Sequence, residues 1–168
     1  MKHFLYLLLF TWSTLSLSQD ISDQKAIETT LNHYIDAFYK GDTVALKKAL
    51  GPRLYKFGYW KNKDTNKYEY YAKMNYEDAM AFVQKMKDEG RTRDENEIRD
   101  VEVLDIANHI ATAKVTAVWG VDYMTLSKDD GQWLIEQVIW EGPYEKAYVQ
   151  KPATYYLIRH AEKDTSDK

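Results

Sequence analysis

The chain has 168 residues, of which 45% are hydrophobic and 14% aromatic, so it is long enough to bury the core of one domain. The formal net charge is −3 and basic and acidic residues are mixed, which argues against binding to nucleic acid or to an anionic membrane surface. There is no cysteine, which excludes a disulfide framework and a thiol nucleophile.

The first 18 residues have the pattern of a secretory signal peptide. Lys2 and His3 form a basic start, an apolar run extends to Phe10, and small residues at 16 and 18 suit a cleavage site. A membrane anchor is the alternative, but polar residues interrupt the run before it reaches the ~20 residues of a span. We therefore predict a secreted or periplasmic protein that starts near Gln19 and has no membrane attachment after cleavage.

Three helices and an aromatic hairpin are predicted before residue 90. The first helix runs from Ser22 to about Lys40, because apolar residues recur on one stripe at spacings of three and four. This stripe consists of Ile27, Leu31, Tyr34, Ile35 and Phe38. A short helix follows over 43–50, and a third runs from Asn75 to about Glu89. Between them, the aromatic segments 53–60 and 68–74 predict a pair of strands.

The stretch from residue 97 to residue 142 predicts a meander of four antiparallel strands near 98–106, 110–119, 121–128 and 132–141. Asp-Gly at 130–131 favours a tight hairpin between the last two strands. In the second strand one face is apolar and small, which lets a helix approach closely or leaves a cavity. This face consists of Ala111, Ala113, Val115, Ala117 and Trp119.

Both faces of the last strand are apolar, unlike those of a sheet with one face in water. We therefore expect helices to cover one face, and either a partner subunit, in a homodimer, or a second domain to cover part of the other. The order of elements indicates an α+β domain with three N-terminal helices packed on a curved antiparallel sheet.

Two segments carry a resemblance to a known fold. They are AIETTLNHYIDAFYKGDTVALKKALGPRLYKFGYW and DVEVLDIANHIATAKVTAVWGVDYMTLSKDDGQWLIEQVIW. Together they resemble the cone-shaped nuclear transport factor 2-like fold and, within it, the secreted bacterial group described as putative lumazine-binding. The resemblance covers roughly residues 21–142 and implies a domain over 20–143 with a pocket between the long helix and the concave sheet.

Aromatic residues are the candidates for lining this pocket, since rings offer flat apolar contacts to a small aromatic or heterocyclic ligand. The candidates are Tyr34, Tyr55, Phe57, Tyr59, Trp60, Trp119 and Tyr123. The alternative for each of them is a place in the hydrophobic core. The four histidines are scattered and no phosphate-cradling glycine loop is present, so we predict neither a metal nor a cofactor.

Isomerases, dehydratases and cyclases that share the fold place an acid or base in the pocket, and this resemblance makes Asp122, Glu136 and His33 candidate catalytic residues. A hairpin that turns at 129–130 places Glu136 opposite Tyr123 and Asp122 opposite Gln137. The alternative is that these carboxylates face outward on a solvated or interface surface.

A linker over 144–153 leads to the segment TYYLIRHAEKDTSDK at 154–168. This segment resembles the first motif of the histidine phosphatase superfamily, in which a histidine becomes phosphorylated and an arginine holds phosphate. The matching residues are His160 and Arg159. Because the chain stops eight residues after His160, it lacks the downstream catalytic residues of that superfamily, and we expect no phosphatase activity.

The preferred hypothesis is a secreted or periplasmic domain that binds a small ligand or a partner without catalysis. The alternatives are the N-terminal part of an interrupted phosphatase fusion and a fold-related isomerase, dehydratase or cyclase.

Overall fold

The structure is a computed structural model that describes residues 22–94 and 96–144. The predicted signal peptide over 1–18, the linker beyond residue 144 and the phosphatase-like segment 154–168 lie outside the described residues, as do Arg159 and His160. None of the described helices is long and apolar enough to cross a membrane.

Two helices precede an aromatic hairpin, a third helix follows it, and a four-stranded meander comes last, as predicted. The helices are α1 over 22–40, α2 over Thr43–Ala49 and α3 over Tyr76–Asp88. The strands are β1 Leu50–Lys61, β2 Tyr68–Met74, β3 Arg99–Ile106, β4 Ile110–Ala117, β5 Gly120–Asp129 and β6 Gln132–Gly142. Side-chain caps begin both short helices, with Asp42 ahead of α2 and Asn75 in a capping box ahead of α3.

All six strands form one sheet in the order β2-β1-β6-β5-β4-β3. Every neighbouring pair is antiparallel except β1 and β6, which are parallel, so the predicted sheet is mixed rather than wholly antiparallel. A parallel pair needs a long crossover connection, and the chain from β2 through β5 supplies it. Through this pairing the aromatic hairpin joins the meander in a single sheet.

The core lies between α1 and the inner face of the sheet. All five residues of the predicted α1 stripe are buried, and so is the small-residue face of β4, which consists of Ala111, Ala113, Val115 and Ala117. Small side chains on the strand let the helix backbone approach the sheet closely. The predicted α+β arrangement of helices on one face of a sheet is therefore confirmed.

The register between β5 and β6 differs from the predicted one. The turn falls at Asp130-Gly131, so that Asp129 pairs with Gln132, and the register shifts again between Thr125 and Leu126. The turn lies one residue later than the predicted turn at 129–130, and the bulge adds one residue to β6. Each of these changes shifts all the residue pairs farther from the turn. Asp122 consequently pairs with Trp140, and the predicted pairings of Asp122 with Gln137 and of Tyr123 with Glu136 are wrong.

Polar contacts attach α1 to the hairpin between β5 and β6. The carboxylate of Asp23 accepts a hydrogen bond from Lys128 Nζ at 2.7 Å and one from Trp133 Nε1 at 3.1 Å. About two turns further along the helix, Thr30 Oγ1 donates to the carbonyl oxygen of Trp133 at 2.9 Å. Asp23 is buried, so its charge is stabilised by these donors rather than by bulk water.

Replacement of this anchor should destabilise the fold. We expect Asp23→Ala to lower the free energy of unfolding by about 1–3 kcal/mol, since it leaves the indole N–H of Trp133 without its acceptor. Urea unfolding followed by tryptophan fluorescence measures the change. The matched control is Asp64→Ala in the exposed connection between β1 and β2, which should change stability by less than about 0.5 kcal/mol. Equal losses for the two variants would contradict the assigned role of Asp23.

Candidate functional site

A cavity of about 290 Å³ opens on the helix side of the sheet. Residues from α1, α3, β1, β2 and β6 line it, together with the turn at 118–119 and the segment that follows α3. Its walls are mainly aromatic and include Tyr34, Phe38, Trp60, Tyr71, Phe82, Trp119 and Trp140. An apolar cleft with ring walls and a few polar groups is the usual form of a small-molecule site.

Two glycines allow two of these tryptophans to lie flat against the sheet. Gly58 pairs with Trp140 and Trp60 pairs with Gly142 across the parallel strands β1 and β6. A Cβ atom at Gly58 would come within 2.5 Å of the Trp140 ring, and one at Gly142 within 2.7 Å of the Trp60 ring. Each indole therefore occupies the space that a side chain on the neighbouring strand would fill, and the two rings meet at a centroid distance of 6.2 Å.

Lys56 reaches the deep end of the cavity from β1. Alternation along this strand sends Tyr55 and Phe57 to the other face of the sheet and points Lys56 inward, in phase with buried Leu54. Only 8% of the lysine side chain is exposed. Its Nζ lies 5.3 Å from the ring centroid of Tyr34 and 5.5 Å from those of Phe38 and Trp140, distances typical of cation–π contacts.

Asp122 supplies the negative charge beneath this lysine. It projects inward from β5 and is fully buried, with Lys56 Nζ at 3.3 Å from its Oδ2. The hydroxyl of Tyr34 donates to the same oxygen at 2.6 Å, and Trp119 Nε1 donates to Oδ1 at 2.8 Å. Lys56 also donates to the hydroxyl oxygen of Tyr34 at 2.5 Å. Both oxygens of the carboxylate are therefore occupied by donors from three different parts of the chain.

Burial shifts two of these groups away from their ordinary ionisation. It raises the pKa of Tyr34 well above its usual value, and the neighbouring charge of Asp122 acts in the same direction. Burial lowers the pKa of Lys56, although the charge of Asp122 opposes this effect. Tyr34 consequently remains a hydrogen-bond donor at neutral pH, and Lys56 gives up its proton more readily than a lysine on the surface.

Cations outnumber anions around the cavity. Lys56, Arg91 and Arg93 line it, whereas the described residues contribute no carboxylate to its surface. Arg91 pairs with exposed Glu89 at 2.7 Å. Arg93 makes no ion pair with any residue that the structure describes, which leaves its guanidinium available at the mouth of the cavity.

The structure divides the predicted ligand-binding set between the two faces of the sheet. Tyr34, Trp60 and Trp119 line the cavity. The outer face carries Tyr55, Phe57, Tyr59 and Tyr123, which do not contribute to this cavity. Because Tyr55, Phe57 and Tyr59 alternate with Lys56 and Gly58 along β1, they necessarily point the opposite way.

The predicted catalytic candidates are also separated. Asp122 lies beneath the cavity, covered by its donors, and His33 is a partly buried residue of α1 that does not line the cavity. Glu136 lies on the outer face at the β6 bulge, where its Oε1 accepts hydrogen bonds from Arg53 and Ser127, each at 2.7 Å. Glu136 borders a second cavity of about 290 Å³, which is separate from the aromatic one.

Lys56, Trp140 and Arg93 are not among the site residues predicted from the sequence. A signal for Lys56 existed, since a lysine in phase with Leu54 on an aromatic strand is a charged residue on a buried face. Arg93 belongs to a charged segment that lacks periodicity, so its position could not be read from the sequence. Among the described residues, no group of three or more His, Asp or Glu side chains is arranged to hold a metal ion.

Solved structures with this fold come from several bacteria. A protein of unknown function from Shewanella baltica is 17% identical over 71% of this chain and 93% of its own, with a TM-score of 0.55, and is described as NTF2-like. NTF2-like proteins from Silicibacter pomeroyi and Methylobacillus flagellatus are 16% and 21% identical, each with a TM-score of 0.53. They cover 74% and 72% of this chain, and 96% and 92% of their own lengths are matched. At such identities the similarity establishes the fold alone.

No curated protein sequence matches the chain. The sequence profile of the family described as "Putative lumazine-binding" matches residues 22–141, which is most of the chain and nearly all of the described domain. The protein therefore belongs to this putative lumazine-binding family and has its nuclear transport factor 2-like fold.

Proposed function

We propose that the domain binds a small planar heterocycle in the aromatic cavity. The observation that carries the proposal is the buried ammonium group of Lys56 at the deep end of a cleft walled by rings. Family membership supports a heterocyclic ligand, and the volume of the cleft suits a molecule of one or two rings. Stacking on Trp60 and Trp140 would bury the faces of such a ligand.

Lys56 would orient the ligand by hydrogen bonding. An ammonium group has three N–H donors, of which one is directed to Tyr34 and one to Asp122. The third is left for an oxygen acceptor of the ligand, such as the ring carbonyl of lumazine. Because aromatic rings surround this donor, a hydrogen bond to it would contribute more to the binding free energy than a hydrogen bond to a solvated lysine.

The cations at the mouth would extend this preference to negatively charged ligands. Arg93 has no ion pair with a described residue, and Arg91 stacks near Phe82 with a distance of 5.8 Å from its guanidinium carbon to the ring centroid. A guanidinium binds carboxylate or phosphate in a bidentate manner. The arrangement favours a heterocycle with a carbonyl at one end and an anionic group at the other.

The protein would act as a binding domain outside the cytoplasm. The signal-peptide pattern of residues 1–18 supports secretion or a periplasmic location. Asp122 does not present a free carboxylate to the cavity, because its oxygens accept from Tyr34, Lys56 and Trp119. This favours ligand binding over the proton abstraction by a carboxylate that the fold-related isomerases use.

Two copies would associate through the outer face of the sheet. The tyrosines on this face are 40–58% exposed and form a contiguous patch. Exposed apolar patches of this kind mark interaction sites. The exposed residues are Tyr55, Tyr59, Tyr70, Tyr123 and Ile139. Stacked and edge-on contacts already connect Phe57, Tyr59 and Tyr70, so the patch is ordered before any partner arrives.

Lumazine is the first probe for the proposed site. We expect it to bind by isothermal titration calorimetry, and Lys56→Met to weaken binding by about 10- to 100-fold, the equivalent of one hydrogen bond to a charged donor. Lys47→Met, in the exposed part of α2, is the matched control and should leave the affinity unchanged. Absence of binding by lumazine and by its carboxylated derivatives, or equal affinity for the Lys56 variant, would contradict the proposal.

The proposed dimer has an independent test. We expect sedimentation equilibrium at micromolar concentration to give twice the monomer mass, and Tyr70→Lys combined with Tyr123→Lys to give monomers, since two buried lysines would oppose the apolar contact. Lumazine binding should survive in the double variant because neither residue lines the cavity. A monomeric wild-type chain at this concentration would show that the aromatic face does not mediate self-association.

A further inference from the structure

We propose that Lys56 is a nucleophilic amine that forms a Schiff base with an aromatic aldehyde or ketone bound in the cavity. This inference rests on the proposed function to the extent that the cavity must admit a planar ligand. In the proposed function Lys56 only donates a hydrogen bond to the ligand, whereas here it forms a covalent bond with it.

The surroundings of Lys56 are those of a reactive amine. A surface lysine is held protonated by water, whereas the side chain of Lys56 is 8% exposed and its Nζ faces the rings of Tyr34, Phe38 and Trp140. Removal of an ammonium group from water favours its neutral form, which is the nucleophile in carbonyl condensation. The amine also borders the open space, so a carbonyl carbon can approach it.

Asp122 provides the proton exchange that the condensation needs. Its Oδ2 is 3.3 Å from Nζ, within reach for accepting the proton that frees the lone pair of Lys56. The lone pair then attacks the carbonyl carbon, a C–N bond forms, and the nitrogen proton passes to the former carbonyl oxygen. The acid form of Asp122 returns its proton to the nitrogen, which lies within its reach. This proton passes on to the hydroxyl, and the hydroxyl then leaves as water.

The product is a protonated imine paired with the Asp122 carboxylate. Ammonium and carbonyl have become iminium and water, so atoms and charge balance without an oxidant or reductant. Tyr34 holds the carboxylate in place through its 2.6 Å hydrogen bond and remains protonated throughout, because burial raises its pKa. The positive charge of the imine has the same partner that the ammonium had, which limits the cost of forming it in a buried site.

Charged groups around the cavity define the ligand class. Asp122 faces Lys56 from β5 and Tyr34 faces it from α1, while Arg91 and Arg93 line the same cavity from the segment after α3. A substrate that satisfies all of them is an aromatic carbonyl compound with a carboxylate or phosphate group. Burial lowers the pKa of Lys56, so the amine should react at a pH at which exposed lysines, with an ordinary pKa of about 10.4, are still protonated.

Pyridoxal phosphate is a suitable probe because it is a planar heterocycle with an aldehyde and a phosphate. The full chain would be incubated near neutral pH with an equimolar amount, reduced with borohydride, digested and mapped by mass spectrometry. We expect one dominant adduct, on Lys56. Its selectivity over exposed lysines should fall as the pH rises towards their ordinary pKa, since those amines then become nucleophilic too.

Variants separate the amine chemistry from folding. Lys56→Arg keeps a positive charge but removes the primary amine and should abolish the dominant adduct, while Lys47→Arg should leave it unchanged. Asp122→Asn should slow adduct formation at least tenfold because the amide cannot supply the proton that the loss of water requires. Circular dichroism and thermal unfolding of each variant would establish that the comparison is made between folded proteins.

Pyridoxine phosphate, which has an alcohol in place of the aldehyde, distinguishes the two proposals. It should bind reversibly and compete with the aldehyde but leave no adduct. Binding of this alcohol together with adducts spread over exposed lysines and absent from Lys56 would overturn the covalent inference and leave ligand binding intact. If neither phosphate compound nor lumazine binds, both proposals fail.

Discussion

The fold is built around one buried carboxylate that must be paired. Asp122 is fully buried. Burying an unpaired charge there would cost more free energy than the net stability of a small domain. It is stabilised by the hydroxyl of Tyr34 from α1, the ammonium group of Lys56 from β1 and the indole of Trp119 from the β4–β5 turn. A single side chain thereby connects the long helix to two separate parts of the sheet.

This arrangement also decides the chemistry of the cavity. Because the carboxylate is covered, the groups that meet a ligand are Lys56 and the rings around it, and the cavity presents positive rather than negative charge. The pairing of Gly58 with Trp140 and of Trp60 with Gly142 keeps two indoles against the sheet, so that the space above them stays open. The proposed ligand binding and the proposed reactive amine both rest on the same placement of Lys56.

Local sequence patterns could predict most elements but not how distant ones meet. The α1 stripe, the Asn75 cap and the Asp-Gly turn carry their signals within a few residues, and the structure has these elements close to the predicted boundaries. The parallel pairing of β1 with β6 has no local signal, since its partners are about 80 positions apart. The bulge in β6 likewise depends on packing, and it changed which residue lies opposite Asp122.

In the candidate site, too, local patterns predict which residues share a face but not which distant residues meet. Alternation correctly places Tyr55, Phe57 and Tyr59 on one face, but the pattern alone does not reveal that this is the outer face. Lys56 and Asp122 can each be assigned to a buried phase, next to Leu54 and Met124, yet only the tertiary structure brings them within 3.3 Å. The secretory leader and the phosphatase-like segment lie outside the described residues and stay predictions.

A double-mutant cycle on Lys56 and Asp122 tests the central pairing most directly. Urea unfolding would compare Lys56→Met, Asp122→Asn and the double variant with the parent chain. The account predicts that Asp122→Asn alone lowers the free energy of unfolding by about 3–5 kcal/mol, because it leaves a buried ammonium group without its counter-ion. Adding Lys56→Met to this variant should restore a large part of the lost stability. Costs that simply add to within about 0.5 kcal/mol would show that the two charges are not coupled and would contradict the account.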